Sequence, residues 1–143
     1  MKNRYYLFIV LAISFPPLSL TSEKTTHPTS QQYVIDACSL LQQFQSVPKI
    51  QRKTLLNNFT PSETESFIAC ASVVNASLST ISGMPKIMKK LGICKPSEGF
   101  SNPKIVTYLL EHIGDKKIEE SLEPNKIIQD FVMFDSLPVL YPC

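Results

Sequence analysis

The chain has 143 residues, room for one hydrophobic core and too few for two domains once a short leader is set aside. Its 14 basic and 12 acidic residues give a net charge of +2, and Lys2 and Arg4 account for both units. The remainder is charge-balanced and has no polybasic block, which argues against nucleic acid or an anionic membrane as partner.

At the N-terminus Lys2 and Arg4 precede the apolar run Tyr5 to Phe15, which Pro16 and Pro17 break. That run is shorter than the roughly 20 residues needed to span a bilayer. It reads as a secretory signal peptide over residues 1–22, removed on export. The expected mature chain is a single helical domain over 23–143 with a mobile Ser- and Thr-rich tail at its start. No second apolar span follows, so it is expected to be secreted, soluble and free of direct membrane insertion.

A helical pattern begins near Tyr33, where Val34, Ala37, Cys38, Leu41 and Phe44 recur at steps of three and four. Pro48 ends it. Residues 49–59 show no clear pattern and read as a connection. Thr60-Pro61-Ser62-Glu63 then marks a helix start: a threonine cap, proline at the first helical position, and glutamate three residues after the cap. Phe67, Cys70, Ala71, Val74, Leu78 and Ile81 follow on one face until Ser82-Gly83.

Pro85 to Leu91 forms a shorter amphipathic segment with Ile87, Met88 and Leu91 expected inward. Lys86, Lys89 and Lys90 are expected outward, and Gly92 is expected to cap the end. Asn102-Pro103 reads as a cap and first turn, introducing Val106, Leu109, Leu110 and Ile113 before Gly114. Lys116 to Ser121 is charged and non-helical in pattern. In the last segment, opened by Pro124, Ile127, Ile128, Phe131 and Phe134 share a face that ends before Pro138. Nothing alternates as a strand would. The expected fold is an all-α, small disulfide-stapled bundle of four or five helices.

The even count of Cys38, Cys70, Cys94 and Cys143 in a chain read as secreted predicts two disulfides, with three pairings open. The preferred set joins Cys70 to Cys94, stapling a helical hairpin to its following loop, and Cys38 to Cys143, anchoring the C-terminus to the first helix. No cysteines are closely spaced and His27 and His112 stand alone, so no metal and no cofactor are expected. Catalytic signatures such as G-x-S-x-G, H-E-x-x-H or a phosphate-binding glycine loop are missing, so the chain does not read as an enzyme. Two glycosylation sequons occur, Asn75-Ala76-Ser77 and Asn58-Phe59-Thr60. The second is the weaker, because Pro61 follows and Thr60 is wanted as a cap.

The segments NFTPSETESFIACASVVNAS, PKIMKKLGICKPSEGF and GDKKIE, in that order from Asn58 to Glu119, resemble the interleukin-4/interleukin-13 group of short-chain four-helix cytokines. The resemblance implies a cysteine of the second helix paired with one after the third, which are Cys70 and Cys94 here. It also implies Cys38 and Cys143 tying the first helix to the C-terminus. The implied function is that of a secreted cytokine of the immune response, a monomer binding the extracellular domain of a membrane receptor and recruiting a second receptor chain. The implied contacts are the exposed acid Asp36 and the basic face of Lys86, Lys89 and Lys90. The chain departs from the family in the helical pattern of Pro103 to Ile113 and in lacking a basic C-terminal stretch. The alternative is a secreted carrier of a small apolar ligand, like odorant-binding proteins or secretoglobins. A large internal apolar cavity would favour that carrier.

Overall fold

The computed structural model describes residues 29–143. The segments expected to be a signal peptide and an N-terminal tail lie, but for Thr29 and Ser30, outside the described residues. The helices are α1 (Ser30–Ser46), α2 (Lys49–Asn57), α3 (Pro61–Ser82), α4 (Pro85–Lys90), α5 (Asn102–His112), α6 (Pro124–Asp130) and α7 (Leu137–Leu140). A single 3₁₀ turn, Ile113–Asp115, extends α5, and a π-helical stretch, Phe131–Ser136, fuses α6 to α7. No strand is formed among the described residues; one isolated antiparallel bridge joins Ile93 to Pro142.

Four of these elements make the bundle. The long helices α1 and α3 pack together, with α5 and the α6–α7 rod closing the core against them. Val34, Ala37, Cys38 and Leu41 of α1 face Cys70, Val74 and Ile81 of α3, and Ile105, Val106, Leu109, Ile113, Ile128 and Val132 complete the interior. The all-α bundle expected from the apolar stripes is the fold found, and the peripheral helices α2 and α4 lie outside its four-helix centre.

Local signals account for the boundaries. Thr29 caps α1 by accepting a hydrogen bond from the backbone N–H of Gln32. Thr60 and Glu63 form a complete capping box: the threonine hydroxyl accepts from Glu63 N–H, and the Glu63 carboxylate accepts from Thr60 N–H at 2.8 Å. The Thr60 backbone N–H first, and the Thr60 hydroxyl second, hold the Glu63 carboxyl below its ordinary value of 4.5. Asn102, expected as the cap of α5, is instead its first helical residue and Ser101 is the cap, because the Asn102 amide is engaged sideways by neighbouring helices.

Residues 49–57 form a helix although they bury nothing, which is why no stripe announces it. Ile50 is 87 % exposed, and Arg52 holds α2 to the end of α1 by donating to the carbonyls of Val47 and Gln45 and lying over the Phe44 ring.

The final helix corrects two expectations. Its buried positions step from Ile127 to Phe131 to Ser136, and from Ile128 to Val132 to Leu137. Each second step is five rather than four residues, the signature of the wider π turn. Phe134, expected on the buried face, is therefore rotated out and 55 % exposed. The helix also runs through Pro138 to Leu140 instead of stopping before it. The π turn just ahead of Pro138 is where a missing N–H and a bulky ring are absorbed without breaking the rod.

The preferred disulfide pairing is not the one formed. Cys38 pairs with Cys70, Cα atoms 5.3 Å apart, and Cys94 pairs with Cys143, Cα atoms 4.9 Å apart. Both members of the first pair sit on the α1–α3 seam, the most extensive helix contact in the molecule, where their stripes are already pressed together. Cys94 lies beyond α4 at the bundle's end, and the C-terminal residues come to it. Cys94 N–H donates to the Tyr141 carbonyl at 2.9 Å and Cys143 N–H to the Gly92 carbonyl at 3.0 Å. The C-terminus is thus tied down, but to the turn after α4 rather than to α1.

Candidate functional site

One surface that joins exposed apolar and basic side chains is the corner made by α4. Pro85 opens this helix with its fixed backbone angle, and Met88 is its one buried residue, packed toward α3. The helix closes in a Schellman motif: Gly92 has φ +69°, Gly92 N–H donates to the Lys89 carbonyl, and Ile93 N–H donates to the Met88 carbonyl at 2.8 Å. Met88 and Ile93, the two side chains that motif brings together, are both buried and pin the helix.

With Met88 as the anchor, the rest of α4 turns outward. Lys86, Lys89 and Lys90 are exposed, as expected, and Lys95 joins them past Cys94. Ile87, expected inward, is 41 % exposed, because this six-residue helix packs on α3 through Met88 and Ile87 lies off that contact. Met84 beside it is 40 % exposed. Met84 and Ile87 are thus exposed in the same short segment as the exposed Lys86, Lys89 and Lys90. The ion pairs among the described residues, Lys116 with Asp135 and Lys126 with Asp130, both lie elsewhere. Lysines three and four apart on one helix repel by a few tenths of a kcal/mol each. Lys89 and Lys90 regain part of that from the partial negative charge at the helix C-terminus.

The other expected site residues fall in separate places. Asp36 is exposed on α1 and accepts a hydrogen bond from Gln32 Nε2 one turn back, at 2.8 Å; no ion pair joins it to the α4 lysines. Asn75 is exposed on α3, and its Oδ1 accepts from Asn102 Nδ2 at 2.7 Å. Asn102 Oδ1 in turn accepts from Gln45 Nε2, while Gln42 Nε2 donates to the Thr107 hydroxyl at 3.2 Å. These amides make a polar seam across α1, α3 and α5, invisible in the sequence because its members are 27 to 65 positions apart. Ser77, the third residue of that sequon, is buried and donates to the Val73 carbonyl. Asn58 instead caps α2 in an exposed turn. His112 stacks on Tyr108 with ring centroids 4.0 Å apart, and its Nδ1 lies 2.9 Å from the Tyr108 carbonyl oxygen, so it is a packed surface histidine. His27 lies outside the described residues.

Among the described residues no three His, Cys, Asp or Glu side chains cluster as metal ligands, and no helix is long and apolar enough to cross a membrane. Sequence reasoning found the lysines of the corner and missed its apolar centre, since the stripe of α4 gives no sign of which side chain the bundle will leave uncovered. Compared with known proteins, the chain matches no family model, no curated protein and no solved structure.

Proposed function

We propose that the protein is a secreted helical ligand that works by binding, its α4 corner docking on the extracellular domain of a cell-surface receptor. The observation that carries this reading is the exposure of Met84 and Ile87 in the same short segment as the exposed Lys86, Lys89 and Lys90. An apolar centre with a charged rim is the anatomy of a protein interface, and the absence of local carboxylate partners leaves the rim to a partner's acidic groups. The two disulfides suit an oxidising extracellular setting. Sites for N-linked glycans in this reading are Asn58 and Asn75, both exposed. The disulfide pairing departs from the one the cytokine resemblance implies. The reading therefore rests on the α4 surface rather than on that resemblance, and it makes Asp36 no part of the contact.

The test is saturable binding of the labelled mature protein to a panel of cell types, with unlabelled protein as competitor. Saturable binding that the Lys89→Glu/Lys90→Glu and Ile87→Asp proteins fail to compete, while an Asp36→Lys protein competes fully, is the expected pattern. Binding that survives the α4 changes would overturn the assignment.

A further inference from the structure

The connection from α5 to α6 leaves its 3₁₀ turn at Lys116 with φ −85° and ψ 134°, which is extended backbone. No helix or strand follows until Pro124. Among the described residues no backbone–backbone hydrogen bond involves Lys117 or Ile118. Ile118 rests half-buried on the core, and Lys117 beside it is exposed and makes no ion pair. Lys116, by contrast, pairs with Asp135 and lies over the Phe131 ring, and its carbonyl accepts from Gln31 Nε2 at 3.3 Å.

A protease takes its substrate as an extended strand, through backbone groups that are not already bonded. The other basic residues among those described do not meet that condition. Lys49, Arg52 and Lys53 lie in α2, Lys104 in α5 and Lys126 in α6, where the backbone is helical. Lys86, Lys89 and Lys90 belong to α4, and the bond after Lys90 is held by Leu91 N–H donating to the Ile87 carbonyl. Lys95 stands outside any helix, but Pro96 follows it, with no N–H and a ring beside the bond to be cut. Lys116 and Lys117 remain, and of these Lys117 has its ammonium group unengaged.

We infer that Lys117–Ile118 is a cleavage site for an extracellular serine protease of trypsin-like specificity, at which the folded protein becomes a two-chain form. The peptide bond between Lys117 and Ile118 breaks and one water is consumed. Its hydroxyl goes to the Lys117 carbonyl carbon and its proton to the Ile118 nitrogen. The disulfides decide what the cut leaves. Cys38–Cys70 lies wholly before it and Cys94–Cys143 spans it, so the two chains stay joined by one disulfide. The second chain keeps Ile127, Ile128, Phe131, Val132 and Leu137 in the core, so the bundle persists. The α4 corner stays on the first chain, and the site stands whether or not a receptor is found.

The probe is trypsin at a low ratio, added to the full mature protein under native conditions. The first product is expected to gain the mass of one water and to migrate as a single species without reductant. On reduction it is expected to separate into two chains, the second beginning at Ile118, and before reduction to keep its helical circular dichroism. Lys117→Gln is expected to slow this cut at least tenfold, and Lys53→Gln, in the lightly held α2, to leave its rate unchanged. A first cut elsewhere, an unslowed Lys117→Gln protein, chains that part without reductant, or loss of the helical signal on cleavage would overturn the inference.

Discussion

Cys38 and Cys70 meet across the α1–α3 seam with no exposed surface on either residue, whereas Cys94 and Cys143 meet at the bundle's edge with both residues exposed. The loops they close differ little, 32 and 49 positions, and chain entropy assigns each disulfide about 4 kcal/mol. Access separates them. Mild reduction of the native protein is expected to open Cys94–Cys143 first and leave Cys38–Cys70 intact until the bundle unfolds. Timed alkylation followed by peptide mass mapping reads this order directly, and alkylation of Cys38 or Cys70 in the earliest fraction would contradict it.

Thr60→Ala removes half of the capping box at the start of α3 and is expected to cost about 0.5–2 kcal/mol in denaturant unfolding. It also has a spectroscopic signature. The Glu63 carboxyl is held below 4.5 by the Thr60 N–H and hydroxyl, so its contribution to stability is complete above that unfolded value. The contribution fades as pH falls through the lowered folded value. NMR titration is expected to show Glu63 moving back toward 4.5 in the variant.

Two buried serines make opposite predictions. Ser77 donates to the Val73 carbonyl, so Ser77→Ala is expected to cost about 0.5–1.5 kcal/mol, the net worth of a typical hydrogen bond. Ser136 is fully buried in the π stretch and its hydroxyl has no partner among the described residues. Removing an unsatisfied hydroxyl relieves its desolvation cost, so Ser136→Ala is expected to be neutral or stabilising by up to about 2 kcal/mol. Urea midpoints of the two variants, compared at equal slope, decide both.

Gly92 turns the chain at the end of α4 with φ +69°, and nothing lies within 4 Å of where a Cβ would stand. Gly92→Ala therefore meets no clash, and its expected cost is the left-handed backbone penalty alone, about 1–2 kcal/mol. Calorimetry is the check. A stabilised variant would show that this turn relaxes to another conformation.

The helix α2 has no buried residue and rests on α1 through Arg52 and the Phe44 ring. Its amides are expected to exchange with deuterium through local opening at far lower free energy than those of α3 around Cys70 and Val74. Equal protection of the two would mean that α2 is covered in solution.

Much of the architecture follows from near-neighbour chemistry and is legible in the chain. Apolar residues at steps of three and four name the buried faces of α1, α3 and α5, and the Thr60–Glu63 box and Gly92 mark ends by bonds that span only a few residues. Such signals are local because a helix closes its own hydrogen bonds. Tertiary structure alone decided what depends on which faces meet. It chose Cys70 as the partner of Cys38, because the α1–α3 seam sets those two stripes face to face while the C-terminus lies against the turn after α4. It turned Phe134 to solvent through a five-residue step, and it left Ile87 off the side of α4 that packs on α3. The amide seam is likewise a product of packing, since it joins side chains whose proximity no spacing along the chain encodes.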